Sequence, residues 1–207
     1  MDFSKIQIKK LNIQFKGIPP EEIISWAIKY ANNPVVTTNF RPYEVAILYA
    51  VTQVRKNIPV VWCDTGYNTP QTYKHAEKLI EILGLNIKLF VPRQTSAHRD
   101  VIMGIPGIED KRHAEFTEQV KLEPFRRAMD EIKPDVWFTN LRKGQTAHRN
   151  TLDILSLSND GVLKVSPFYH WSDGQLDMYL EERNLQNEHT YFDPTKVLEN
   201  RECGLHI

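Results

Sequence analysis

The chain predicts an α/β fold, a doubly wound and mostly parallel sheet, on three observations. Short β-branched runs alternate with longer amphipathic stretches, the pattern of strands joined by crossover helices. Three polar motifs fall just past predicted strands, where open α/β sheets bind their ligands. No internal repeat, low-complexity tract or Gly/Ser linker divides the 207 residues, and a chain of that length can bury one sizeable core.

The elements follow in order. Residues 21–30, after Pro19-Pro20, put Ile23, Ile24, Ala27 and Ile28 on one helical face, with proline and acids where a helix start favours them. Residues 34–38 read as a strand, and the loop 39–42 hands over to a helix at about 43–54 carrying Val45, Ala46, Leu48, Tyr49 and Val51. Next come a strand at 60–63, a helix at 70–83, a strand at 86–91 and a helical stretch at 113–132. Pro124 interrupts that stretch, so a kink or two helices are expected. A strand at 136–139, a polar loop to Asn150, a short strand at 163–165 and a helix at 173–182 complete the pattern.

Charge and hydropathy exclude several classes. Lys plus Arg and Asp plus Glu number 26 each, so the formal net charge is zero. No global basic field suits nucleic acid, and any anion binding must be local. No run of 18 apolar residues occurs, and Met1-Asp2-Phe3-Ser4-Lys5 lacks a signal-peptide layout. A soluble cytoplasmic protein with no membrane partner is expected.

Two cysteines, Cys63 and Cys203, are too few for a disulfide framework or a four-thiolate iron–sulfur cluster. Cys63 ends the apolar run Ile58-Pro59-Val60-Val61-Trp62-Cys63 and reads as a buried small hydrophobe. Cys203 sits instead among polar neighbours in Arg201-Glu202-Cys203-Gly204-Leu205-His206. Arg201 and a protonated His206 favour its thiolate, the nucleophilic form, and Glu202 opposes it.

The motifs past the strands each have a functional and a plain reading. Thr37 to Tyr43 turns a strand into a helix, where backbone N–H groups, the dipole and two threonine hydroxyls suit a phosphate; it also reads as an ordinary Thr/Asn turn. Asp64-Thr65-Gly66-Tyr67 offers hydrogen bonds for ribose or adenine, with Gly66 open to conformations closed to other residues, or is simply a turn. Arg142, Lys143, Gln145, His148 and Arg149 form a cationic loop able to fork phosphate oxygens, or a solvated one. Trp137 and Trp171 read as core or rim aromatics.

The tail Arg201-Glu202-Cys203-Gly204-Leu205-His206 is the carboxy-terminal signature of the sulfonucleotide reductases, and the chain resembles the phosphoadenosine phosphosulfate (PAPS) reductase family. The resemblance runs from about residue 23 to 171 through Val35-Val36-Thr37-Thr38-Asn39-Phe40, Asp64-Thr65-Gly66-Tyr67, Lys121-Leu122-Glu123-Pro124, Trp137-Phe138-Thr139-Asn140-Leu141-Arg142 and Val165-Ser166-Pro167-Phe168. It implies an adenine nucleotide alpha hydrolase-like (PP-loop) fold, with a nucleotide-binding domain at 1–183 and a tail at 184–207 carrying the nucleophile. It implies substrate contacts from Thr37, Thr38, Asn39, Phe40, Asp64, Thr65, Gly66, Lys121 (at the sulfate end), Arg142, Lys143 and Arg149, and a catalytic group of Cys203, Arg201 and His206. It further implies thioredoxin-dependent reduction of 3′-phosphoadenylyl sulfate in sulfate assimilation toward cysteine. No metal and no cluster is expected, the reductant is thioredoxin or a similar dithiol protein, and the assembly is a homodimer.

The chain departs from the family in two places. Its loop reads Thr-Thr-Asn and lacks glycine where family members are serine-rich, and the tail between the last helix and Cys203 is short. The short reach raises two expectations: that the tail closes over a dimer partner's crevice, or that His189, Thr190 and Lys196 replace missing nucleotide contacts. Three other readings stay open: a cluster-free reductase of adenylyl sulfate (APS), an ATP-using PP-loop adenylating enzyme, and a nucleotide-binding module with a redox-sensitive tail cysteine.

Overall fold

The structure, a computed structural model, describes residues 4–196; Arg201, Cys203 and His206 lie outside the described residues. Its sheet comprises β1 (Pro34–Thr38), β2 (Pro59–Cys63), β3 (Asn86–Phe90), β4 (Val136–Phe138), β5 (Leu155–Leu157) and β6 (Leu163–Val165). The order is β3-β2-β1-β4-β6-β5, and every pairing is parallel except the antiparallel β5–β6 pair at one edge. The chain builds outward from β1 through β2 to β3, then returns to place β4 on β1's other side. That reversal is a topological switch point, and it opens a crevice beyond the carboxyl ends of β1 and β4.

Strand periodicity divides the core in two, because adjacent side chains point to opposite faces. Val36, Val60 and Phe138 pack on one face against Ile24 and Ala27 of α2 (Pro20–Tyr30), Ile47, Leu48 and Val51 of α3 (Glu44–Val54), Leu79 of α4 (Pro70–Leu83) and Leu180 of a helix at Asp173–Glu181. Their neighbours Val35, Val61 and Trp137 face the other way, against Phe125, Ala128, Met129 and Ile132 of a helix at Glu123–Ile132. α4 starts on Thr69, whose hydroxyl accepts from Thr72 N at 3.0 Å, and stops at Gly84, whose φ of +59° gives the left-handed C-cap.

Besides a short 3-10 turn at Arg149–Thr151, two α-helices and one strand among the described residues are not among those read from the sequence. The first is α1 (Lys5–Phe15), opened by a reciprocal capping box in which Gln7 N donates to Ser4 Oγ at 3.2 Å and Ser4 N to Gln7 Oε1 at 2.9 Å. Asn12 on α1 pairs with the backbone of edge strand β5, donating to Leu155 O at 3.0 Å and accepting from Leu155 N at 2.8 Å, which blunts that edge. The others are β5 itself and α5 (Ser96–Ile102), capped by Thr95.

The stretch at 113–132 is helical throughout, as α6 (His113–Thr117), a π turn (Glu118–Leu122) and α7 (Glu123–Ile132), and α8 is Asp173–Glu181. Pro124 has no N–H to donate and sits in the first turn of α7, where none is required. The wider π turn, in which Glu123 N donates to Glu118 O, absorbs the extra residue just before it.

Candidate functional site

The crevice at the switch point encloses about 750 Å³ of space, the open solvent at its mouth included. Strand ends supply Thr37, Thr38, Asn39, Cys63 and Thr65; the π turn supplies Lys121; the loop past β4 supplies Arg149; and the segment after α8 supplies Tyr191, Asp193 and Lys196. Arg41 and Glu44 complete the charged lining, giving four basic and two acidic side chains. An excess of two positive charges in a partly dry crevice suits an anionic ligand.

The loop after β1 does not present a row of open N–H groups. Glu44, almost wholly buried, turns back from the first turn of α3 and accepts from Thr38 Oγ1 and from Asn39 N, both at 2.8 Å, and from Arg41 Nε at 2.9 Å. Phe40 N donates to Thr38 Oγ1 at 3.0 Å. The Asn39 amide donates to Glu44 at 2.9 Å and accepts from the Tyr191 hydroxyl at 2.6 Å. Tyr43, in left-handed backbone at φ +68°, donates its N–H to Asn187 Oδ1 at 2.8 Å. A carboxylate at a helix start is favoured by the dipole, and here it also neutralises the loop's hydroxyl and amide donors.

Lys121 lies on the π turn and lines the crevice. It is 5% exposed, its ammonium pairs with Asp193 and donates to Thr195 Oγ1 at 3.3 Å. Burial pushes the Asp193 carboxyl up, but the Lys121 charge and hydrogen bonds from Lys121 and Thr195 outweigh it, and the net position is below the usual carboxylate range. Arg149, 2% exposed, donates from Nη1 to Gln145 Oε1 at 2.6 Å and is set by Thr146, whose Oγ1 accepts from Arg149 N at 3.1 Å. Trp137 floors the crevice and donates from Nε1 to Thr37 Oγ1 at 2.9 Å.

Of the residues singled out in the sequence, Thr37, Thr38, Asn39, Thr65, Lys121 and Arg149 converge on this crevice. Phe40 does not: its φ of +54° turns the ring into the core, edge-on to Trp62 at 4.8 Å. Asp64 braces its own loop, accepting from Gly66 N at 2.9 Å, Asn68 Nδ2 at 2.8 Å and the Tyr73 hydroxyl at 3.0 Å. Gly66, at φ +80°, closes that turn. Arg142 is drawn away by Asp173 and lies over the Tyr43 ring at 5.0 Å, and Lys143 points to solvent.

Cys63, expected as a buried small hydrophobe, packs against the second apolar cluster but is not wholly enclosed. It is half-buried at the end of β2 and lines the crevice, because the strand runs out just where the sheet opens. Burial pushes its thiol up to about 12, with Lys121 and Arg127 pulling weakly the other way, so it is a poor nucleophile at neutral pH. Glu44, Arg41, Tyr191 and Asp193 were not among the residues singled out; the acid at the start of the 43–54 helix was the one local signal.

A switch-point crevice with a cationic lining, on a mostly parallel sheet covered on both faces, defines an α/β protein of the doubly wound class whose crevice suits an anionic ligand. Residues 33–194 match the phosphoadenosine phosphosulfate reductase domain, and the chain belongs to that family. It is 33% identical to a phosphoadenosine 5′-phosphosulfate reductase of Aliivibrio salmonicida over 87% of this chain and 72% of the relative. A protein of the same description from Vibrio atlanticus is 31% identical over 97% of this chain and 87% of its own length. The fold is shared with the crystal structure of a PAPS reductase from Candida auris in a phosphate complex, at a TM-score of 0.79 and 23% identity, covering 90% of each chain. Among the described residues no helix is long and apolar enough to cross a membrane.

Proposed function

We propose that this protein reduces 3′-phosphoadenylyl sulfate to sulfite and adenosine 3′,5′-bisphosphate, with Cys203 as nucleophile and thioredoxin or a similar cytoplasmic dithiol protein as reductant. The observation that carries the reading is the crevice itself, in which Lys121, Arg149, Arg41 and Lys196 meet at the sheet's switch point. The Cys203 thiolate attacks the ligand's sulfate sulfur, the S–O bond to the phosphate breaks, and the nucleotide 5′-phosphate leaves with the bonding pair while the cations balance its charge. Cys203 then carries an S-sulfonate. One thiolate of the dithiol partner attacks Cys203 Sγ and expels sulfite, and its second thiol resolves the mixed disulfide, returning Cys203 as thiolate.

In this scheme the tail 184–207 carries the nucleophile first to the ligand and then to the reductant. Cys203 follows Lys196 by seven residues, at most about 25 Å of extended chain. Residues 187–195 engage this chain's own loops through Tyr43, Asn39, Thr69 and Lys121, which favours the tail serving its own crevice over a homodimer partner's. The raised thiol of Cys63 leaves the resolving step to the partner protein.

Intact-protein mass spectrometry of the reduced protein, incubated with PAPS or APS and no reductant, tests the scheme. One sulfonate on Cys203, formed with PAPS and removed by thioredoxin, is expected, and Cys203→Ser abolishes it while leaving nucleotide binding. An adduct with APS alone reassigns the substrate, and no adduct with either overturns the mechanism.

A further inference from the structure

The segment after α8 occupies two donors that an anionic ligand could use, the Tyr43 N–H and the Lys121 ammonium, and anchors on Asn39 besides. Asn187 Oδ1 accepts from Tyr43 N at the start of α3, the Tyr191 hydroxyl donates to the Asn39 amide oxygen, and the Asp193 carboxylate pairs with Lys121. Thr195 steadies that carboxylate, donating from Oγ1 at 2.6 Å and from N at 3.0 Å. Residues 187–196 thus lie across the crevice as a strap, and its rim is stitched by Thr69 and Thr72, whose hydroxyls donate to Thr190 O at 2.9 and 3.0 Å.

We infer that Asp193 is a built-in competitor anion: in the free protein it holds Lys121 in place of the ligand's anionic end, and ligand entry lifts the strap off the crevice. The inference deepens the proposed function and rests on the crevice being the sulfonucleotide site. Lys121 and Asp193 are 5% and 8% exposed, so a sulfate or phosphate cannot reach the ammonium while the carboxylate stays. The apolar hold on the strap is small: none of residues 187–196 belongs to either apolar cluster, and its apolar contacts include the His189 ring edge-on to Tyr43 at 5.8 Å and the buried Pro194. Hydrogen bonds that water and ligand oxygens can replace hold much of the strap, whereas Lys121, paired with Asp193, requires an anion and keeps one in either state. The strap leads directly to the tail of Cys203, so the same exchange frees the tether of the nucleophile when a ligand arrives.

Two measurements on the full chain test this. Hydrogen–deuterium exchange of the Cys203→Ser chain with saturating PAPS, which carries the sulfate assigned to Lys121, is expected to accelerate amide exchange in residues 187–196 and leave α3 and β1 protected; slowed or unchanged exchange there overturns the inference. Calorimetric titration of Asp193→Asn in that chain, nearly isosteric with the native residue, is expected to show tenfold or greater tightening for the nucleotide; unchanged or weaker affinity overturns it. If Asp193→Asn does not fold, the exchange measurement with Asp193 in place decides. If the native chain binds no nucleotide, the reading of the crevice falls, and inorganic sulfate becomes the probe: tenfold tighter binding by Asp193→Asn then sustains the competitor role, and equal binding ends it.

Discussion

The interior around α3 and the crevice at its amino end bury side chains to the same degree and by opposite means. Ile47, Leu48, Val51, Val36 and Phe138 are all fully buried within one apolar cluster, so their contribution is transfer from water and close packing. At the crevice Glu44, Lys121, Arg149 and Asp193 are buried with polar partners. Desolvating them is costly and is offset only while every partner stays in place. The first region has one satisfactory arrangement, and the second has as many as there are anions able to face Lys121. Stability therefore resides in the apolar layer, and exchangeability in the crevice.

The largest stability change separates the two regions. Leu48→Ala is expected to lower the unfolding free energy in urea by about 2–5 kcal/mol, the cost of a core cavity, with nucleotide affinity unchanged under conditions where the variant is folded. Lys121→Ala reverses that balance. Asp193 can swing with its strap into water, so the loss in urea is expected on the order of 1 kcal/mol, while calorimetry shows nucleotide affinity falling by about 2–5 kcal/mol, the range for removing one partner of a buried charge pair. A global loss as large as that of Leu48→Ala would mean that the strap cannot leave.

Smaller effects sharpen the contrast. Asn12→Ala strips both hydrogen bonds from β5's backbone and is expected to cost about 1–3 kcal/mol in urea without touching the crevice. Acidification probes the strap most gently. Because the Asp193 carboxyl lies below its ordinary value in the folded protein, its contribution is complete above the unfolded value of about 4 and is lost as pH falls through the folded one. Amide exchange in 187–196, corrected for its intrinsic pH dependence, is expected to be level down to about pH 4 and to rise below it, with the α3 amides unaffected at that onset.

Legibility followed sequence distance. The strands at 34–38 and 163–165 and the helix at 70–83 have the bounds their patterns predict, because β-branched runs, Thr69 as N-cap and Gly84 as C-cap act within a few residues. α1 was missed because Ile6-Gln7-Ile8 alternates like a strand, and its capping box and the Asn12 pairing with Leu155 carry the decision. β5 is three residues long and takes its direction from β6. In the site, Lys121, Arg149 and the threonines stood out by residue type beside a strand end or motif, whereas Asp193 stood in a tail with nothing local to mark it.

Alternating patterns and end signals thus settle a parallel α/β sheet, and the order of motifs along the chain settles its family, since both depend on neighbours in sequence. Which side chains meet was decided by the fold alone. Lys121 and Asp193 are 72 residues apart and Asn39 and Tyr191 152, and contacts at such separations exist only after the sheet has reversed at β4 and brought both strand ends to one crevice.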